Sequence, residues 1–189
     1  MQASAMPTDT RRILLCVCGG IAAYKAAELV RRLRDDGTHE VIVAMTENAQ
    51  RFVCAQTFQA LSGQPVRTSL WDASAEAAMG HLELAHWADQ VIIAPATANS
   101  IARLAHGLAG DLVSTLCLAT TAPIAIAPAM NHRMWLHPAT QANIATLRSR
   151  GVQVVGPNDG PLAEGESGPG RMSEPAEIIA ALTLKRFDT

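Results

Sequence analysis

Charge is scarce in this 189-residue sequence: Asp, Glu, Lys and Arg make up 17% of it, and the formal net charge is −2. Nothing forms the basic stripe of a nucleic-acid surface, so nucleic acid is not an expected partner. No apolar run approaches the roughly 18 residues that span a bilayer, and the amino terminus lacks a secretory apolar segment. The four cysteines, Cys16, Cys18, Cys54 and Cys117, show no metal-site spacing, so no metal is expected. Cys16 and Cys18 alternate onto one face of an expected strand and read as buried free thiols, which suits a reducing cytoplasm. A dinucleotide fingerprint is also incomplete. Gly19-Gly20 is followed by Ala23 and Tyr24 where further glycine belongs, and no acidic residue follows the second strand early enough to hold a ribose. A phosphate-bearing cofactor fits this turn; NAD is not supported.

What is present is apolar residue, 49% of the chain, enough for a large covered core. Short apolar runs at residues 13–18, 40–45, 90–94, 123–127 and 153–155 alternate with helical stretches at about 22–34, 49–61, 96–119, 138–150 and 175–184. Strands apolar on both faces, separated by helices, predict a single doubly wound, Rossmann-like, three-layer α/β domain with a mostly parallel sheet. Residues 1–10 read as a flexible leader and 11–189 as the domain.

In such a sheet, ligands bind outside the carboxyl ends of strands. Gly19-Gly20-Ile21-Ala22 leaves the first strand, where glycine permits close backbone approach and a helix start offers free N–H groups. Ala94-Pro95-Ala96-Thr97-Ala98-Asn99-Ser100 leaves a later one, with polar atoms that serve equally well as ordinary helix caps. Asp111-Leu112-Val113-Ser114-Thr115 adds two hydroxyls. Small residues mixed with hydroxyls and amides suit a planar, hydrogen-bonding ring. Pro128-Ala129-Met130-Asn131-His132-Arg133-Met134-Trp135 combines a compact turn, a small residue and an amide; it reads either as a ligand loop or as a proline turn packing Met and Trp inward. His81 opens a helical segment whose apolar face is Leu82, Leu84, Ala85 and Ala88, and histidine suits proton transfer near neutral pH. With five other histidines present, a structural role is the default, and His86 reads as surface. Residues 160–172 form a loop with four glycines and two prolines, of the kind used as lids or as plain connections. Arg171 there could pair with a carboxylate or phosphate.

Taken in order, Gly-Gly-Ile-Ala, Gly-His-x-x-Leu-x-x-Trp-Ala-Asp, Ala-Pro-Ala-Thr-Ala-Asn, Pro-Ala-Met-Asn-x-x-Met-Trp and Leu-Ala-x-Gly-x-x-Gly-x-Gly-Arg-Met resemble the homo-oligomeric flavin-containing cysteine decarboxylases. The nearest branch is the phosphopantothenoylcysteine decarboxylase domain of the bacterial bifunctional coenzyme A biosynthesis protein. The resemblance spans residues 11–184.

It implies FMN held between neighbouring subunits of a trimer, with trimers assembling into dodecamers in bacterial members. By position, Gly19, Gly20, Ile21, Ala22, Thr46, Phe52, Thr97, Ala98, Asn99, Ser100, Ser114, Thr115 and Ala129 would contact the flavin. His81 matches the essential histidine, Asn131 the asparagine that holds the substrate carboxylate, and Met134 helps enclose it. Ala163, Gly165, Arg171 and Met172 would close as a flap, residues 159–172. The implied reaction converts 4′-phosphopantothenoylcysteine to 4′-phosphopantetheine: the cysteinyl thiol carbon is oxidised toward a thioaldehyde, carbon dioxide leaves, and the enethiol is reduced again.

Two positions depart from the pattern. The flap cysteine that donates a proton in the final reduction is replaced by Glu164, which could donate only if burial raised its pKa. Cys18 stands where relatives often have serine beside the glycine pair. Bacterial relatives continue into a cysteine-ligating synthetase domain, so such a domain or protein is an expected partner. The alternatives are an oxidative decarboxylase of a cysteine-ending peptide that releases the enethiol, and a non-catalytic flavin-binding regulator.

Overall fold

The computed structural model describes residues 11–35, 37, 39–72, 79–163 and 165–183. The leader at 1–10, Glu164 and Leu184 therefore lie outside the described residues. Five strands, β1 (Arg11–Val17), β2 (His39–Met45), β3 (Gln90–Ala96), β4 (Ile124–Pro128) and β5 (Gln153–Val154), form one all-parallel sheet in the order β2-β1-β3-β4-β5. Such a sheet must be covered on both faces, and side-chain alternation divides β1 accordingly. Ile13, Leu15 and Val17 pack under α1 (Ala23–Asp35), α2 (Ala55–Ser62) and α8 (Pro175–Thr183). Leu14 and Cys16 face the opposite layer, built from α3 (His81–Trp87), α4 (Ala98–His106), α5 (Leu112–Ala119) and α7 (Pro138–Ser149). The expected three-layer doubly wound domain is what forms. Strand order reverses between β1 and β3, and their carboxyl ends open the crevice used below.

Several local expectations change. The helix expected over 49–61 is two pieces. Thr46 caps a 3-10 turn at Glu47–Arg51 by accepting from the Ala49 N–H, and extended Cys54 then restarts the chain as the cap of α2. β3 runs on through Pro95 to Ala96, with its register against β4 shifting between Ile93 and Ala96, where proline has no N–H to give. Leu82 points outward, so the buried face of α3 is Leu84, Ala85 and, just past its end, Ala88. A short helix, α6 (His132–Leu136), follows Asn131.

The largest change is at the glycine-rich segment, which is an antiparallel hairpin, β6 (Asn158–Pro161) with β7 (Ser167–Arg171). Its glycines permit close approach. A Cβ on Gly168 would lie 3.1 Å from that of His132, and one on Gly170 would strike the Met130 carbonyl oxygen. The hairpin is pressed onto the loop after β4 by residues that have no side chain to keep it away.

Candidate functional site

The crevice at the β1/β3 reversal is a cleft of about 510 Å³. Its floor is the turn after β1. Gly19 is packed so tightly that a Cβ there would sit 2.5 Å from Asn48 Cβ and 2.7 Å from the Asn48 carbonyl carbon. At Gly20 the nearest obstacle is the Thr97 methyl group at 3.8 Å, so the backbone faces open space. Ile21 and Ala22 continue the floor, Thr97 and Ala98 form one wall, and Ala129, Asn131 and Met134 the other. Pro161, Leu162, Ala163, Arg171 and Met172 bring the hairpin over the top.

Polar groups beneath this floor satisfy one another. Thr97 Oγ1 accepts from the Ser100 N–H at 3.2 Å and lies 3.0 Å from Ser100 Oγ, which donates to Cys18 Sγ at 3.0 Å. Burial pushes the Cys18 thiol up to about 12, so it is neutral at pH 7. Cys18 thus serves the core below the cleft and is not among the lining residues. Cys16 and Cys117 are likewise buried free thiols, whereas Cys54 is exposed.

Asn131 is oriented by the backbone two residues on. Its Oδ1 accepts from the Arg133 N–H at 2.8 Å, which leaves Nδ2 as the outward donor. That donor meets Glu166 Oε2 at 3.4 Å. The hairpin root is fastened to α1: Lys25 Nζ donates to the Met172 carbonyl at 3.2 Å and to Glu174 Oε1 at 2.8 Å, and Arg171 Nη2 reaches the same Glu174 oxygen at 3.3 Å.

The residues singled out from sequence divide into two sets. Gly19, Gly20, Ile21, Ala22, Thr97, Ala98, Ala129, Asn131, Met134, Ala163, Arg171 and Met172 meet in the cleft. Thr46, Phe52, Asn99, Ser100, Ser114, Thr115, Gly165 and His81 do not line it. His81 begins α3, and Ser114 and Thr115 lie in the first turn of α5, two helices joined where Thr120 Oγ1 donates to the Ala85 carbonyl at 2.8 Å. Ser114 is occupied with Asp111 in a capping box, and Thr115 Oγ1 donates to the Asp111 carbonyl at 2.8 Å. Glu164 lies outside the described residues. The sequence reading missed Tyr24, Lys25, Met130, Pro161, Leu162 and Gly170, all of which line the cleft. The last four sit inside motifs already noted; Tyr24 and Lys25 carry no signal beyond their place in the first turn of α1.

Comparison with known proteins places the chain in a family. Residues 1–186 match the Flavoprotein family. The coenzyme A biosynthesis bifunctional protein CoaBC of Escherichia coli K12 is 58% identical over 169 residues, which is 89% of this chain and 41% of that protein. The chain thus spans about two fifths of the length of that relative. Among solved structures, a mutant PPC decarboxylase complexed with pantothenoylaminoethenethiol superposes with a TM-score of 0.79 at 30% identity, covering 93% of this chain and 97% of that one. The FMN-dependent cysteine decarboxylase SpaF does so with a TM-score of 0.78 at 32% identity, covering 92% and 95%. The chain belongs to the Flavoprotein family.

Proposed function

We propose that this domain is an FMN-dependent phosphopantothenoylcysteine decarboxylase, forming 4′-phosphopantetheine for coenzyme A synthesis. The observation that carries the reading is the meeting, in one cleft, of the Gly19-Gly20 turn, the Thr97 wall and an oriented Asn131 beneath a hairpin. The cleft suits FMN on its own terms. Gly20 leaves room for a phosphate to approach backbone, and the order β2-β1-β3-β4-β5 is the one in which FMN binds at the β1/β3 switch point of flavodoxin-like folds. Ile21 (64% exposed) and Met134 (49%) offer apolar surface that a flat ring would cover.

FMN, when bound, supplies a reversible two-electron oxidation at the cysteinyl thiol carbon, the electron sink that an amide-linked cysteine lacks. The chain's residues do the rest. Asn131 Nδ2 donates to the substrate carboxylate and fixes the Cα–carboxylate bond for cleavage. Pro161, Leu162 and Ala163 exclude water from above, Arg171 supplies a cation at the rim, and His81 moves a proton. Glu164 takes the place of the family's acid in the closing reduction.

His81 reaches this chemistry from a second copy. Leu82 on α3 and Leu118 on the adjoining α5 leave the His81 side of the molecule with apolar surface that association would bury. A homotrimer, and in turn a dodecamer, brings one copy's α3–α5 edge to its neighbour's cleft. The remaining partner is a cysteine-ligating synthetase, as a further domain or separate protein. Among the described residues no helix is long and apolar enough to cross a membrane, and a cytoplasmic location fits the substrate.

Anaerobic mixing of the yellow protein with 4′-phosphopantothenoylcysteine tests the reading. Flavin bleaching and recovery, carbon dioxide and 4′-phosphopantetheine are the expected outcome. Bleaching that ends at the enethiol assigns oxidative decarboxylation, and no bleaching rejects the substrate.

A further inference from the structure

The Glu166 carboxylate lies on Asn131, the residue assigned above to the substrate carboxylate. Its Oε2 accepts from Asn131 Nδ2 at 3.4 Å and stands 3.2 Å from His132 Nδ1, while its Oε1 accepts from Arg133 Nη2 at 2.9 Å. Asn131 Nδ2 has no choice of role, because Oδ1 is committed to the Arg133 N–H. His132 Nδ1 is buried, and its contact with Glu166 has the separation of an ion pair without the alignment of a hydrogen bond. Three consecutive side chains therefore converge on one carboxylate, and that carboxylate is part of the chain.

Its placement is not loose. The Leu162 N–H donates to the Glu166 carbonyl at 2.8 Å, Gly168 abuts His132, and the Met130 N–H donates to the Gly170 carbonyl at 3.0 Å. These contacts set the register in which the hairpin delivers Glu166.

We infer that Asn131, His132 and Arg133 form a carboxylate receptor, that Glu166 fills it as a tethered stand-in, and that the ligand's carboxylate enters by displacing Glu166. The inference rests on the proposed function for the identity of that ligand. Glu166 keeps the Asn131 amide and the Arg133 guanidinium engaged with a carboxylate whenever the receptor has no ligand. The same contact screens ligands: one without a carboxylate has nothing with which to take Arg133 and Asn131 from Glu166. It also links binding to the hairpin, because freeing the receptor frees the hairpin's side-chain hold on α6. A receptor occupied by Glu166 for nine-tenths of the time binds its ligand about tenfold more weakly than an open one.

The test uses the FMN-loaded oligomer and two unreactive probes, 4′-phosphopantothenoyl-serine, which keeps the carboxylate, and 4′-phosphopantothenoyl-ethanolamine, which lacks it. Calorimetry on Glu166→Gln is expected to show the serine probe bound roughly tenfold tighter than by the unaltered protein, with the ethanolamine probe unchanged. Arg133→Ala is expected to weaken the serine probe alone. Equal serine-probe affinities for Glu166→Gln and the unaltered protein overturn the inference, and so does equal tightening of both probes, which would report only a looser hairpin. Hydrogen exchange without ligand judges it separately: Glu166→Gln is expected to speed exchange at the Leu162 and Gly165 amides, and unchanged exchange overturns it. If neither probe binds the unaltered protein, the substrate assignment fails, and the exchange result still decides whether Glu166 holds the hairpin.

Discussion

Gly170 and Met130 meet backbone to backbone: the Met130 N–H donates to the Gly170 carbonyl at 3.0 Å, and a Cβ on Gly170 would run into the Met130 carbonyl oxygen. The hairpin and the Asn131 loop are thus one packed unit. Gly170→Ala is expected to lift the hairpin while leaving the sheet intact. Forcing a methyl into packed surroundings costs about 1–3 kcal/mol, so kcat/KM should fall by about tenfold or more and the melting temperature by roughly 2–10 °C. A normal kcat/KM would mean that the hairpin's seat is irrelevant to turnover.

Gly19→Ala attacks the floor. The added methyl meets Asn48 backbone, which cannot rotate away as a side chain could. The purified variant is expected to lose its yellow colour and to bind added FMN poorly, with the five-stranded sheet retained by circular dichroism. Full flavin content in this variant would show that the turn after β1 is not the cofactor's shelf.

Subunit mixing tests where His81 acts. His81→Asn and Asn131→Ala are each expected to be inactive. If each site takes Asn131 from one copy and His81 from another, random co-assembly restores about a quarter of the activity. Mixtures as inactive as their components would place both residues' roles within a single copy.

Glu164→Gln separates the two halves of the reaction. It is expected to slow formation of 4′-phosphopantetheine more than flavin bleaching, because glutamine cannot donate the final proton. Equal slowing of both steps in stopped-flow traces would remove Glu164 from the acid role.

Thiol labelling reads the core directly. Burial raises the pKa of Cys18, and Cys16 is raised well above its usual value by its hydrogen bond with the Cys117 thiol and by burial; exposed Cys54 is lowered by its hydrogen bonds with Thr57. One thiol of the four should react in the native protein near pH 8 and all four after denaturation. Rapid native labelling of Cys18 would contradict its place beneath the floor.

The sheet was legible because its central strands are apolar on both faces, so runs such as Ile13–Leu14–Leu15 had only one comfortable setting. The cleft was legible where motifs follow strands directly, as at Gly19-Gly20, Thr97-Ala98 and Asn131. The hairpin was not, because its composition argues for a loop and its strands exist by pressing against Met130 and His132, contacts remote in sequence. Lys25 escaped notice for a related reason: its partner Glu174 lies 149 residues away. His81, Ser114 and Thr115 were singled out by motif but do not line the cleft; on the proposed reading they act from a second copy, which spacing along one chain does not encode.

Lys25 joins the first turn of α1 to Met172 and Glu174, where the hairpin ends. The floor of the cleft and the root of the hairpin above it are therefore fastened by the same ammonium group. The anchor holds the base of the hairpin, Arg171 to Glu174, against α1. On the proposed reading, the side of the cleft away from that base is the entrance for a slender pantothenoyl arm. A bulky peptide end would have to press on that base and, through Lys25, on the helix that leaves the Gly19-Gly20 turn.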